Sequence, residues 1–267
     1  MILEVHGKRV FASTGGKPYE NAAPCVIFLH GSGLDHSFWD CHAAFFASEN
    51  YAVLCPDLPG HSASAGPPLE SIEAMAEWLH EVVEVLGAGN LSIVGHSQGG
   101  LIALEFVSRH PERVRSVSLI TSGLRIAVNP ALIEAAEHDP DQAVAMMSRW
   151  SFAAGEPPQR AARDALASEC REILQRNASL ALAADLRAND AYVDGQRVAA
   201  QIRKPVQVMV GGKDRMIPES ASDELIAELH RPQVHVFGDS GHMLPLEAPE
   251  ECRALLSQFV SENNPIA

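Results

Sequence analysis

Basic residues are scarce in this chain. Twenty Lys and Arg stand against 34 Asp and Glu in 267 residues, a formal net charge of −14. That balance argues against nucleic acid and anionic membrane surfaces as partners, since both need a basic footprint. No apolar run approaches the length needed to span a bilayer. The start, Met1-Ile2-Leu3-Glu4-Val5-His6-Gly7-Lys8-Arg9, lacks the basic-then-apolar order of a signal peptide. The five cysteines, Cys25, Cys41, Cys55, Cys170 and Cys252, are odd in number and form no CxxC pair. This argues for a reducing compartment without a disulfide framework, so a cytoplasmic location is expected. Cys25 and Cys55 lie in apolar runs and are expected as small core residues.

Metal and nucleotide motifs are missing as well. His80-Glu81-Val82-Val83-Glu84 ends in glutamate where a helical zinc motif needs a second histidine. Gly31-Ser32-Gly33 follows a strand-like run, but position 36 is His36 and not the third glycine of a dinucleotide loop. His36, His42, His61 and His110 show no ligand spacing and are expected as surface or turn residues. No metal or organic cofactor is implied, and the expected partner is a small-molecule substrate.

What is present alternates regularly. A hairpin is expected over Ile2 to Val5 and Arg9 to Ser13. Apolar strands follow at Val26 to Leu29, Ala52 to Cys55, Leu91 to Val94, Val114 to Thr121, Val206 to Val210 and Val234 to Phe237. Near-continuous apolar runs of this kind suit parallel strands buried on both faces. Helices are expected over His36 to Ser48, Ser71 to Leu86, Gln98 to His110, Ala221 to Leu229 and Pro249 to Val260. In the second, Ile72, Met75, Ala76, Leu79, Val82, Val83 and Leu86 follow helical spacing. The alternation means an α/β fold with a doubly wound sheet. Between Thr121 and Pro205 only alanine-rich helical sequence appears. A helical cap is therefore expected over about 124–200, with residues 1–123 and 201–267 forming the core domain. Such an insertion would sit over the carboxyl ends of the strands, where ligands bind in open α/β sheets.

Gly95-His96-Ser97-Gln98-Gly99 stands between the strand Leu91 to Val94 and a helix. A serine flanked in this way marks a nucleophile elbow, whose tight turn admits only small residues two places before and after it. Chance supplies G-x-S-x-G in roughly one chain in ten of this length, so its partners decide. Serine needs a base and the base an orienting acid. The strand Val206 to Val210 runs into Gly211-Gly212-Lys213-Asp214, and Val234 to Phe237 runs into Gly238-Asp239-Ser240-Gly241-His242. Ser97, Asp214 and His242 thus follow three strands in the required order. Asp239 shares the histidine loop, and Asp57 lies in a turn before the serine, so Asp214 is the preferred acid. Oxyanion donors are expected from the amides of Gln98 and Ser32, the latter in His30-Gly31-Ser32-Gly33, with the Ser32 hydroxyl as a further donor to consider.

On these residues, together with Asp57-Leu58-Pro59-Gly60-His61 and Gly241-His242, the chain resembles the α/β-hydrolase fold superfamily over nearly its whole length. It is most similar to capped esterases, lactonases and peroxidase-like members. The resemblance implies a mostly parallel eight-stranded sheet with an antiparallel second strand and a helical cap after the sixth strand. The resemblance departs at His61-Ser62-Ala63-Ser64, where relatives commonly carry a further glycine after the histidine. Members that use aspartate at the elbow cleave alkyl halides or epoxides, and Ser97 excludes that chemistry. A serine hydrolase acting on a carboxylic ester, lactone or related acyl bond is expected. The alternatives are a small-molecule receptor of the same fold with slow or no turnover, or a carbon–carbon bond hydrolase. Trp150, Phe152, Met146 and Met147 suggest an apolar pocket. Arg125, Arg149 and Arg215 are candidates to pair a substrate carboxylate.

Overall fold

The computed structural model describes residues 1–154 and 159–266. Residues 155–158, which fall within the expected cap interval, lie outside the described residues. The chain opens with a hairpin of β1 (Ile2–Val5) and β2 (Lys8–Ser13). His6 and Gly7 both turn with positive φ, at 50° and 73°, the two-residue geometry that matches strand twist. Alternation follows, through β3 (Cys25–Leu29), α1 (Asp40–Ser48), β4 (Ala52–Pro56), α2 (Ile72–Leu86), β5 (Leu91–His96), α3 (Gln98–Arg109) and β6 (Val114–Ile120).

Between β6 and β7 the described residues are helical and contain no strand. They form α4 (Pro130–His138), α5 (Pro140–Ser151), α6 (Gln159–Asn177), one π-helical turn over Ala178–Leu182, α7 (Ala183–Ala191) and α8 (Gly195–Ala199). The chain closes with β7 (Val206–Gly211), α9 (Glu219–Glu228), β8 (Gln233–Phe237), α10 (Leu244–Glu247) and α11 (Pro249–Asn263).

The eight strands form one sheet in the order β1-β2-β4-β3-β5-β6-β7-β8. β2 is antiparallel to both neighbours, and every pairing from β4 to β8 is parallel. The carboxyl ends of β3, β5, β6, β7 and β8 therefore share one rim. β3, β4 and β5 are buried along their whole length, as their unbroken apolar runs require, and Cys25 and Cys55 sit inside them. α2 shows how sequence becomes packing. Ser71 caps its start by accepting from the Ala74 N–H, and Gly87 ends it in the left-handed region. Its stripe of Ile72, Met75, Leu79, Val82 and Val83 is buried on the sheet, each large side chain contributing about 1.5–3 kcal/mol.

Two expectations need correction. β8 is not buried on both faces: Val234 and Val236 share a face that is exposed. It is an edge strand, with β7 as its one strand neighbour. The helix expected over His36 to Ser48 is a 3-10 turn, His36–Trp39, followed by α1. Asp35 caps that turn by accepting from the Ser37 N–H. No helix among the described residues is long and apolar enough to cross a membrane.

Candidate active site

Ser97 stands between β5 and α3 with φ 53° and ψ −119°, a conformation that costs on the order of 1–3 kcal/mol and persists only where its surroundings impose it. They do so here. Its N–H donates to Ile120 O, while its carbonyl accepts from Gly100 N–H and the Ser122 hydroxyl. The flanking glycines are demanded by contact. A methyl at Gly95 would lie 2.2 Å from Gly99 O, and one at Gly99 would lie 2.3 Å from Leu29 O. These are backbone atoms and cannot swing aside. Gly99→Ala is expected to cost about 3 kcal/mol or more, lowering the melting temperature by at least about 6 °C. A thermal melt matching the parent would show that the elbow is looser than these contacts require.

Asp214 and His242 follow β7 and β8 and meet on the same rim. His242 Nδ1 lies 2.8 Å from Asp214 Oδ2, and both side chains are almost fully buried. The other carboxylate oxygen accepts the N–H groups of Met216 at 2.7 Å and Ile217 at 2.9 Å, so the acid is oriented from its own loop. The competing acids are engaged elsewhere. Asp239 is exposed and paired with Lys213, and Asp57 accepts from the backbone N–H of His36 and contacts its Nδ1.

Ser97, His242, Ser32 and Trp150 line one cavity of about 320 Å³. The profile of the alpha/beta hydrolase family matches residues 26–255, from β3 into α11. This chain belongs to that family. It is 28% identical over 259 residues to a pimeloyl-(acyl-carrier protein) methyl ester esterase of Aromatoleum aromaticum, covering 89% of this chain and 98% of that one. It is 26% identical over 261 residues to Protein ABHD8 of Bos taurus, covering 95% of this chain but only 59% of that longer relative. The enol-lactonase from Burkholderia xenovorans has the same fold, with a TM-score of 0.87 at 22% identity over 98% of this chain and all of that one.

In this hydrolase-family member the pocket wall differs from the sequence expectation. Of the four apolar residues expected there, Trp150 and Met147 line the cavity, but Met146 and Phe152 do not. Met147 and Trp150 are three residues apart on α5 and share a face. Met146 is rotated away and packs against the core. Phe152 lies past the end of α5 in extended backbone and is buried in the core cluster. Arg215 lines the cavity, whereas Arg125 and Arg149 do not.

The backbone N–H groups of Ser32 and Gln98 have no hydrogen-bond partner among the described residues, and both residues adjoin Ser97's cavity or chain. Gln98 opens α3, where unpaired N–H groups and the helix dipole favour negative charge. His96, the residue before Ser97, bonds through Nε2 to His242 O at 2.9 Å, and the Thr121 hydroxyl donates to the same carbonyl at 3.0 Å. The strand ends thus pin the backbone of His242. Burial pushes the His96 pKa well down, and neighbouring His242 adds to the effect, so it acts as a neutral donor.

Sequence reasoning missed these supports and the burial of two histidines. His42 lies in α1 and is buried, and His61 lies in a turn as expected but is buried as well; burial lowers the pKa of His42 to about 4. His61 pairs through Nε2 with Asp185 of α7 at 2.9 Å, and Asp185 also accepts the Gly33 N–H at 2.8 Å. Asn177 donates to the carbonyls of Gly33 and Leu34, and Asn189 to the Ser32 hydroxyl. The helices between β6 and β7 therefore grip the loop that carries Ser32. One signal was available: asparagine and aspartate are poor residues for a helix interior, yet they recur at 177, 185 and 189. Ser62 has φ 42° and donates its N–H to Asn177 Oδ1.

Proposed function

We propose that this protein is a serine hydrolase of small carboxylic esters or lactones, working through an acyl-enzyme. The observation that carries the reading is the 2.8 Å contact of His242 Nδ1 with Asp214 Oδ2 beside the cavity that also receives Ser97. Ser97 attacks the carbonyl carbon as His242 Nε2 takes its proton, while Asp214 holds the ring and stabilises the imidazolium. The Ser32 and Gln98 N–H groups receive the oxyanion. His242 then protonates the leaving alcohol, and a water activated by the same nitrogen releases the acid and regenerates Ser97. The helices over about 124–200 act as a cap that closes the site.

Several observations support this reading. The strained Ser97 backbone is the kind of geometry that clusters at active sites. The unpaired N–H groups at Ser32 and Gln98 match an oxyanion requirement. An esterase among the curated relatives and a lactonase of the same fold agree with it. The wall supplied by Leu34, Leu132, Met147, Trp150 and Ile217 favours an apolar acyl or alcohol group.

Steady-state assays with p-nitrophenyl esters of increasing acyl length test the proposal. The expected result is multiple turnover on short and medium esters, with kcat/KM falling once the chain outgrows the cavity. A single turnover with retained product would instead fit the receptor alternative and overturn the hydrolase reading.

A further inference from the structure

We propose that the Ser32 hydroxyl is a third oxyanion donor, and that Asn189 of α7 aims it. The inference rests on the hydrolase reading of Ser97. Asn189 is almost fully buried and lines the same cavity as Ser32 and Ser97. Its Nδ2 donates to Ser32 Oγ at 2.8 Å, across 157 residues of sequence.

A hydroxyl has a single proton to donate. With Asn189 filling an acceptor position on Ser32 Oγ, that proton needs an acceptor of its own. Among the described residues none takes it, and the open side of Ser32 is the cavity. A carbonyl oxygen placed for the Ser32 N–H is then also within the province of the Ser32 O–H. The structure places Asn189 Nδ2, not Oδ1, on Ser32 Oγ. Its Oδ1 has no protein partner, whereas the reverse orientation would strand the amide N–H groups instead. A buried orphan donor is the rarer and costlier defect.

The same helix and the end of α6 together fix the loop on which Ser32 stands. Asp185 takes the Gly33 N–H at 2.8 Å, and Asn177 donates to Gly33 O at 3.1 Å. Ser32 is therefore held by backbone and side chain together. A donor fixed in this way needs no reorganisation as charge develops on the substrate oxygen. On this view the helical segment between β6 and β7 is a source of catalytic positioning as well as a wall. Ser32 is the catalytic residue, and Asn189 acts through it.

The test is a double-mutant cycle with kcat and KM measured separately on a short p-nitrophenyl ester, each variant first checked by thermal melt. Ser32→Ala is expected to lower kcat about 10²-fold, leaving KM within about threefold. Asn189→Ala is expected to lower kcat by about tenfold in the parent but by less than about twofold in the Ser32→Ala background, because its effect passes through the hydroxyl. Asn189→Asp is the polarity control. A carboxylate would accept the Ser32 proton and turn it from the substrate, so kcat should fall at least as far as in Asn189→Ala. Parent-level kcat in Ser32→Ala, an equal Asn189→Ala loss in both backgrounds, or a fully active Asn189→Asp would each overturn the inference. Capture of Ser97 by a fluorophosphonate separates the two claims. If the parent is labelled and turns over while the cycle is additive, only the hydroxyl assignment falls. If the parent is neither labelled nor active, the hydrolase reading falls and this inference with it.

Discussion

Replacing Ser97 with alanine is expected to lower kcat on a p-nitrophenyl ester by about 10⁵–10⁶-fold, the scale of loss when an activated serine is removed. In the proposed mechanism this side chain supplies the atom that forms the acyl-enzyme. His96 is fully buried, with its Nε2 engaged with His242 O. Ser122 is committed as a donor to Ser97 O. The fold should survive the change. Alanine keeps the Cβ, and the contacts that impose the turn at Ser97 are made by its backbone N–H and carbonyl. A thermal melt within about 2 °C of the parent, together with loss of fluorophosphonate labelling, is the expected pair of results. Turnover within tenfold of the parent would remove Ser97 from the mechanism, with about 1.4 kcal/mol of barrier then the most it could contribute.

Asp185→Ala should be among the most destabilising single changes in the molecule. The carboxylate is fully buried, contacts His61 at 2.9 Å and accepts the Gly33 N–H at 2.8 Å. His61 Nδ1 lies 3.2 Å from Pro59 O, so both ring nitrogens face acceptors, which favours the protonated ring. Removing Asp185 leaves the buried His61 ring and the buried Gly33 N–H without their partner. Breaking such a pair costs about 3–5 kcal/mol, equivalent to a melting temperature lower by roughly 6–20 °C. A loss of less than about 1 kcal/mol would mean that water or a rotated side chain replaces the carboxylate.

The pair also has a pH signature. Burial pulls the His61 pKa down, but the Asp185 carboxylate outweighs it and the net shift is upward. A raised pKa in the folded state adds stability that is fully present below the unfolded value, about 6.5. It is lost as pH rises through the folded value. The stability gap between the parent and His61→Gln should therefore be widest below about pH 6.5 and narrow above it. Thermal melts across that range check the sign, and a gap that widens with rising pH would contradict it.

The sheet and the residues on its rim were legible because each is announced locally. Strand, tight glycine turn and helix occupy consecutive residues around Ser97. Asp214 and His242 each follow a strand within a few positions. The position of a strand within the sheet is announced nowhere in its own residues. Val234 to Phe237 reads like a central strand, and only the sheet order exposes Val234 and Val236. Met146 and Met147 are equivalent in composition, and the phase of α5 alone turns Met147 toward the cavity.

The sequence by itself determined the α/β alternation, the helical interval after β6 and the three rim residues, because these depend on periodicities and turns spanning only a few residues. Tertiary structure alone decided what holds the loop bearing Ser32. Asp185 reaches Gly33 across 152 residues, and Asn189 reaches Ser32 across 157. A buried polar group must find a partner wherever the packed chain brings one. Nothing in the neighbourhood of either residue specifies which partner that will be.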